Sequence, residues 1–426
     1  MNNESKEFDL ANVFISKGMF NEARNIYIKL IKEGTRNHLV FGNLAIIYGL
    51  KEEYNEMFEL LIEAININPN YHDAHNNLGF FYTKKKDYKS AINSYENALK
   101  INPYLKETYY NLGVIYKDKG NIHEAEKYYK DALKISPRYF DAHYNLALLY
   151  KENDDIDNAI KSFDLALQIN PKSSETYNNL GIIFLKKDNL DKAIEYFQKS
   201  INFKSDNYEA FNNLGISLER KGNYESAIIA LNRSLKINND YAEAFFNLGN
   251  AQKAYGKINE AILSYCSALK IKPNYKEAHF NYAIVLFLAN KYKNGWEEFE
   301  WRFENNFIVP NVIPTTIKWA GEKLNANEKL TIVSEQGLGD TIQFMRFLPY
   351  LSKMGYSIDF IADKRLHSII KASGINENPI SPPEFNKLRK NKWLPLMSLG
   401  KILEITPLLK SFESPYIKTN YESDLK

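Results

Sequence analysis

The sequence predicts a mainly α-helical fold, a solenoid of stacked helix pairs followed by a small, incomplete α/β unit of Rossmann type. Three observations carry this. The text repeats every 34 residues without an insertion from residue 38 onward. Small residues and a proline return at fixed places in each repeat. Near residue 330 the pattern changes to a β-type apolar run, a loop with two glycines and a new helical pattern.

Composition fits a folded chain and excludes several classes. Of 426 residues, 44% are apolar and 25% charged, enough for packed interiors and against wholesale disorder. Net charge is +3, and residues 310–426 hold 16 Lys and Arg against 12 Asp and Glu. Neither part has the basic surplus of a nucleic-acid binder. The single cysteine, Cys266, permits no internal disulfide and suits a reducing compartment. The start, MNNESKEFDL, lacks a signal peptide's apolar region. The apolar run YAIVLFLA, 282–289, is shorter than the roughly 18 residues of a membrane span. A cytoplasmic protein with no nucleic-acid and no membrane partner is expected.

Repeats start at residues 38, 72, 106, 140, 174, 208, 242 and 276. A degenerate unit fits 4–37, where Ala11, Phe14, Ala23 and Tyr27 hold the expected places. Position 8 is small (Gly79, Gly113, Ala147, Gly181, Gly215, Gly249), and position 20 is alanine from Ala91 to Ala261. Such residues let two helices approach closely. Bulky residues at positions 7, 11 and 24, such as Leu112, Tyr116 and Tyr129, fill the surrounding space. Proline at position 32 stops the second helix, except where Ser205 and Asn239 stand. One unit cannot bury its apolar face alone, so neighbours stack. The last unit, 276–309, reads as a capping unit, with Gly295 at position 20 and Arg302 at position 27.

This pattern resembles the tetratricopeptide repeat family over about 300 residues. The resemblance implies a right-handed superhelix whose first helices line a concave groove. Positions 4, 7, 8 and 11 are expected to form the buried stripe of each first helix, with position 6 opposite. Position 6 is Asn43, Asn77, Asn111, Asn145, Asn179, Asn213, Asn247 and Asn281. Asparagine is a poor helix former, and its amide can pair with a peptide backbone. Two readings are open: repeat consensus, or a ladder that holds an extended polypeptide. The unbroken run tips the balance to the second, and it resembles the asparagine ladder of O-linked N-acetylglucosamine transferases. Position 2 is acidic in seven units, from Asp73 to Glu277. These acids complement the helix dipole; the alternative is a preference for basic partners. His75, His143 and His279 at position 4 are expected to pack rather than bind metal, being one repeat or more apart.

Residues 310–328, rich in Pro and Asn, read as a linker, and 329–426 as the α/β unit. KLTIVS suits a strand, TIQFMRFLPYLSKMG a helix, SIDFIA (357–362) a second strand and DKRLHSIIKASG (363–374) a second helix. That order implies a parallel sheet. The loop EQGLGD leaves the carboxyl end of the first strand, where open α/β sheets bind ligands. Gly337 and Gly339 permit tight geometry, and the backbone N–H groups of Asp340, Thr341 and Ile342 would open an anion-attracting helix. The loop matches neither a Walker A motif nor G-x-G-x-x-G. Locally, Asp340 is either a helix cap or an acid beside a ligand.

Trp319, Gly321, Glu322, Glu335 to Asp340, Gln343, Phe344, Arg346, Leu348 and Pro349, then LPLMSLGKILEIT, resemble bacterial repeat proteins with a GT-B glycosyltransferase domain. The resemblance to the related heptosyltransferases implies that Asp340 is the base that activates the acceptor, with Arg346 a weaker anion contact. It covers only the first half of such a domain. The 117 residues from 310 onward leave room for one Rossmann-like unit. The donor-binding half, which would take a sugar nucleotide, is expected from a separate polypeptide or a longer chain. This chain alone is expected to be inactive, with no cofactor and no metal. The function expected is a protein-binding scaffold joined to an incomplete glycosyltransferase-like domain; the alternative is a non-enzymatic adaptor with a vestigial α/β cap.

Overall fold

The computed structural model describes residues 3–304, 312–325, 328–335, 337–383, 391–406 and 416–417. The chain divides into two compact units, Met1–Phe203 and Lys204–Lys426.

The first unit is built of helix pairs: α1 (Asn3–Ser16) with α2 (Phe20–Lys32), α3 (His38–Leu50) with α4 (Tyr54–Ile67), α5 (His72–Lys84) with α6 (Tyr88–Ile101), α7 (Lys106–Asp118) with α8 (Ile122–Ile135), α9 (Phe140–Glu152) with α10 (Ile156–Ile169), and α11 (Ser174–Lys186) with α12 (Leu190–Phe203). Their phase is that of the sequence repeat. A Cβ built on Gly79 would meet the Tyr95 ring at 2.6 Å, and one on Gly113 would meet Tyr129 at 2.6 Å. The small residue at position 8 therefore exists to seat the ring at position 24. Ala91, Ala125, Ala159 and Ala193 at position 20 are wholly shielded. The turn at position 15 is left-handed, with φ from 57° to 72° at Lys86, Gly120, Asp154 and Asp188. At position 16, Asp87, Asn121 and Asp155 cap the next helix by accepting from Ser90, Glu124 and Asn158 N–H groups.

The buried stripe differs from the one expected. Its deepest members lie at positions 3, 7, 8 and 10, as with Thr108, Leu112, Gly113 and Ile115. Position 3 turns to the preceding repeat, where the Thr108 hydroxyl donates to Asn76 Oδ1 at 2.8 Å. Position 4 is buried at Phe41, His143 and His279, and its histidines are also tethered. His75 Nε2 sits 2.9 Å from the Pro69 carbonyl and His143 Nε2 2.9 Å from that of Pro137, so the proline that ends one repeat also anchors the next.

The second unit continues the pairs: α13 (Tyr208–Arg220) with α14 (Tyr224–Ile237), α15 (Ala242–Ala254) with α16 (Ile258–Ile271), and α17 (Lys276–Leu288) with α18 (Tyr292–Phe299), whose last turn tightens to 3₁₀ at Glu300–Phe303. A Cβ built on Gly249 would meet the Tyr265 ring at 2.7 Å, as in the first unit.

The α/β elements are β1 (Lys329–Val333), α19 (Leu338–Phe344), α20 (Leu348–Lys353), β2 (Ser357–Ile361), α21 (His367–Ala372), β3 (Lys392–Pro395) and α22 (Leu399–Ile402). The sheet is parallel with order β2-β1-β3. β3 was not foreseen; KWLP is too short to show a period. The helix expected after β1 is broken by a 3₁₀ turn at Met345–Phe347, with Pro349 opening α20. Part of the expected linker belongs to this unit. Trp319 N–H donates to the Trp393 carbonyl at 2.8 Å, Trp393 N–H donates to Ile317, and Trp319 is 2% exposed in the core.

Candidate functional site

On a first helix, positions 2, 6, 9 and 13 fall within an arc of roughly 60°, opposite the buried stripe. In the first unit Asn43, Asn77, Asn111, Asn145 and Asn179 lie on this face, all half-buried. Their partners come from both helices of the preceding repeat. Asn145 Nδ2 donates to the Tyr110 hydroxyl at 3.0 Å and to the Asp141 carbonyl at 3.0 Å. Asn179 Nδ2 donates to the Tyr144 hydroxyl at 3.1 Å and to the Glu175 carbonyl at 3.0 Å. Asn43 Nδ2 reaches Asn12 and Tyr27, and Asn111 bonds the Tyr95 hydroxyl, whose phenol burial pushes up to about 12. These amides thus join repeats. At Asn43, Asn145 and Asn179 both Nδ2 hydrogens are engaged, so a bound backbone would meet chiefly Oδ1 acceptors there.

Lysines at position 12 enter the same face. Lys151 Nζ donates to Asn179 Oδ1 at 2.5 Å, and Lys117 pairs with Glu152 at 3.0 Å. Burial holds the Lys151 ammonium below its usual pKa, with Glu152 opposing and Lys117 adding to the effect. In the second unit Asn213, Asn247 and Asn281 are half-buried likewise. Asn247 donates to Asn212 Oδ1 at 2.9 Å, and Lys253 donates to Asn281 Oδ1 at 2.9 Å.

One row on this face was overlooked in the sequence. Position 9 is Ile46, Phe80, Val114, Leu148, Ile182, Ile216, Asn250 and Ile284, apolar in seven of eight repeats. Ile46 is 42% and Phe80 36% exposed, and the others are half-buried. The signal was available, because an apolar residue recurs on the side of the helix away from its deepest stripe.

The glycine loop is arranged differently from expectation. Gly337, with φ 98°, precedes α19, so the helix opens at Leu338 and Asp340 stands inside its first turn rather than capping it. Thr341 is buried, and both its N–H and its hydroxyl donate to the Gly337 carbonyl, at 3.1 and 3.0 Å. The expected anion contact through Thr341 is therefore already satisfied within the loop. Asp340 and Gly339 are exposed. The Asp340 carboxylate folds back over Gly337, 2.8 Å from where a Cβ there would stand. Gln336 lies outside the described residues.

Arg346 points elsewhere. It lines a cleft of about 450 Å³ with Phe287, Trp296, Phe344 and Met397, and Asp340 does not line it. Glu335, which follows Ser334 at the end of β1, is engaged by the last helix pair. Arg302 Nε donates to Glu335 Oε2 at 2.8 Å and Nη2 to Oε1 at 3.0 Å, and the Met397 N–H donates to the same Oε1. Among the described residues no group of acids, histidines or cysteines could hold a metal ion, and no helix is long and apolar enough to cross a membrane.

Family models described as tetratricopeptide repeat match residues 70–138, 139–206 and 242–275, and one described as TPR repeat matches 220–256. The matches at 70–138, 139–206 and 242–275 begin within two residues of a repeat start, and 220–256 straddles the boundary between two repeats. A comparison with curated proteins found no match. Similar solved structures include YrrB, a TPR protein with an unusual peptide-binding site, at 20% identity and TM-score 0.39 over 44% of this chain and 97% of that one. The Cut9–Hcn1 hetero-tetramer of APC/C is similar at 17% identity and TM-score 0.46, over 67% of this chain and 57% of that one. Pseudomonas aeruginosa PilF is similar at 20% identity and TM-score 0.44, over 49% of this chain and 94% of that one.

Proposed function

We propose that the tetratricopeptide repeats of this chain hold a polypeptide or partner protein on the face made by positions 2, 6 and 9 of their first helices. The observation that carries this is the apolar row at position 9, beside the amides. The row lies on the side of each first helix away from its deepest stripe; Val114 and Leu148 pack partly against neighbouring core residues, and Ile46 and Phe80 remain open. A partner would cover these side chains and meet the Asn Oδ1 atoms, with the acids of position 2 at the rim. A library of unstructured peptides displayed on phage supplies the probe. For a selected peptide, Ile46→Ser with Phe80→Ser should weaken binding tenfold or more, while helical ellipticity stays near the parent's. Unchanged affinity would place the partner off this face.

A finer reading ties the α/β unit to protein glycosylation. It is favoured by the exposed Asp340 at the ligand edge of a parallel sheet. With a donor-binding glycosyltransferase half and a sugar nucleotide supplied, Asp340→Asn should slow turnover by about 10²–10⁴. An undiminished rate would leave Asp340 no role as base and favour the adaptor reading.

A further inference from the structure

We infer that the α/β sheet carries a guanidinium-selective pocket at its ligand edge, and that the last repeat fills it from within the same chain through Arg302. Open α/β sheets take ligands beyond the carboxyl ends of their strands, where the connections change direction. In the order β2-β1-β3 that place lies between β1 and β3. Glu335 follows β1 there, and Met397 and Ser398 follow β3.

Arg302 occupies this position with no exposed surface. All five of its N–H donors are used. Nε and one Nη2 hydrogen take the two oxygens of Glu335. The other Nη2 hydrogen takes Ser398 Oγ at 2.9 Å. Nη1 serves the Phe299 carbonyl at 3.0 Å and Glu300 Oε1 at 2.8 Å. The guanidinium carbon lies 4.6 Å from the Phe299 ring centre and 4.0 Å from that of Phe303. On the sheet's side the forked carboxylate of Glu335 and the Ser398 hydroxyl take three of the five donors, an arrangement that fits a guanidinium and not an ammonium, while the two rings and the other two acceptors belong to the last repeat itself. Separating the unit from the repeat would uncover a pocket that accepts an arginine side chain from elsewhere.

Chemical rescue tests this in the full chain. All four tryptophans, Trp296, Trp301, Trp319 and Trp393, belong to the last repeat or the α/β unit, so their emission reports on this junction. Arg302→Ala should shift emission to the red and speed proteolysis beyond residue 304, with the repeats' helical ellipticity retained. Millimolar ethylguanidinium should restore both signals, and ethylammonium should not. Glu335→Gln should release the unit in the same way and gain nothing from ethylguanidinium. Parent-like emission and protection in Arg302→Ala would overturn the inference. Release without selective rescue would reduce Arg302 to packing and overturn it equally. Loss of the repeats' helical signal in both variants would show that edge and repeat are not separable elements, and would also sink it.

Discussion

Ala268 and Arg302 stand at the same place, position 27, in successive repeats, and both are wholly shielded. In the regular repeat a methyl group suffices, because a similar repeat follows and closes over it. In the last repeat no such neighbour follows. The α/β unit packs there instead, and its complement is a carboxylate. At position 27 the regular interface is therefore specified by shape, and the terminal one by charge and hydrogen-bond geometry. Shape-specified contacts tolerate a swap of similar volume, whereas a buried charge tolerates the loss of its partner poorly.

The largest effect should come from breaking the charged interface on one side. Arg302→Met leaves Glu335 buried and unpaired, and should cost about 3–5 kcal/mol in urea unfolding followed by tryptophan emission. Adding Glu335→Met should recover most of that loss. A double variant as weak as the single would show that the cost is one of packing, and the contrast between the interfaces would fail. Next in size is an attack on shape. Gly113→Val drives a side chain into the Tyr129 ring and should cost about 1–3 kcal/mol by thermal melting of ellipticity, with tryptophan emission unmoved.

Acid sharpens the same contrast. Burial raises the Glu300 carboxyl, but Arg302, Lys318 and Ser398 outweigh it and hold the group below its ordinary value of 4.5. Its contribution is then complete above that value and is lost as pH falls through the lowered one. Acid titration should release the tryptophan signal of the α/β unit below the ordinary carboxylate range; a signal flat through that range would contradict the assignment. The smallest effect concerns His279. Burial lowers its pKa, yet Glu298 and the Pro273 carbonyl raise it further, for a net value above 6.5. Stability from this group is present below 6.5 and fades as pH rises through the raised value. The ring stacks 4.0 Å from Trp301, so a minor emission change with a midpoint above 6.5 should report it.

The repeats were legible because their causes recur. Gly113 and Tyr129 are 16 residues apart in the sequence and touch in the fold, and the same spacing holds at Gly79 and Tyr95. The stripe was misjudged because positions 3 and 10 are buried by the neighbouring repeat, which a single helix pattern does not display. Arg302 was legible as an exception, but its partner was not. Glu335 lies 33 residues on, outside any period. The tie from the Trp296 indole to the Ile405 carbonyl spans 109 residues, and the indole lies on Gly400, where a Cβ would approach to 2.5 Å. Non-periodic pairings of this length leave no local trace. Asp340 was visible as an acid beside two glycines, but the side-chain and backbone bonds of Thr341 that close the loop on itself were not.

These separations also set an order of events during synthesis. A chain emerging from the ribosome folds its N-terminal parts first, at about 5–20 residues per second. Each repeat closes against the one before it, so the helix pairs can be complete while the α/β unit is still unmade. Arg302 cannot be satisfied then. Glu335 arrives 33 residues later and Ser398 96 residues later. During that interval Glu300, on the same helix pair, is the carboxylate beside Arg302; Glu335 then brings the forked pairing, and Ser398 completes the set of acceptors.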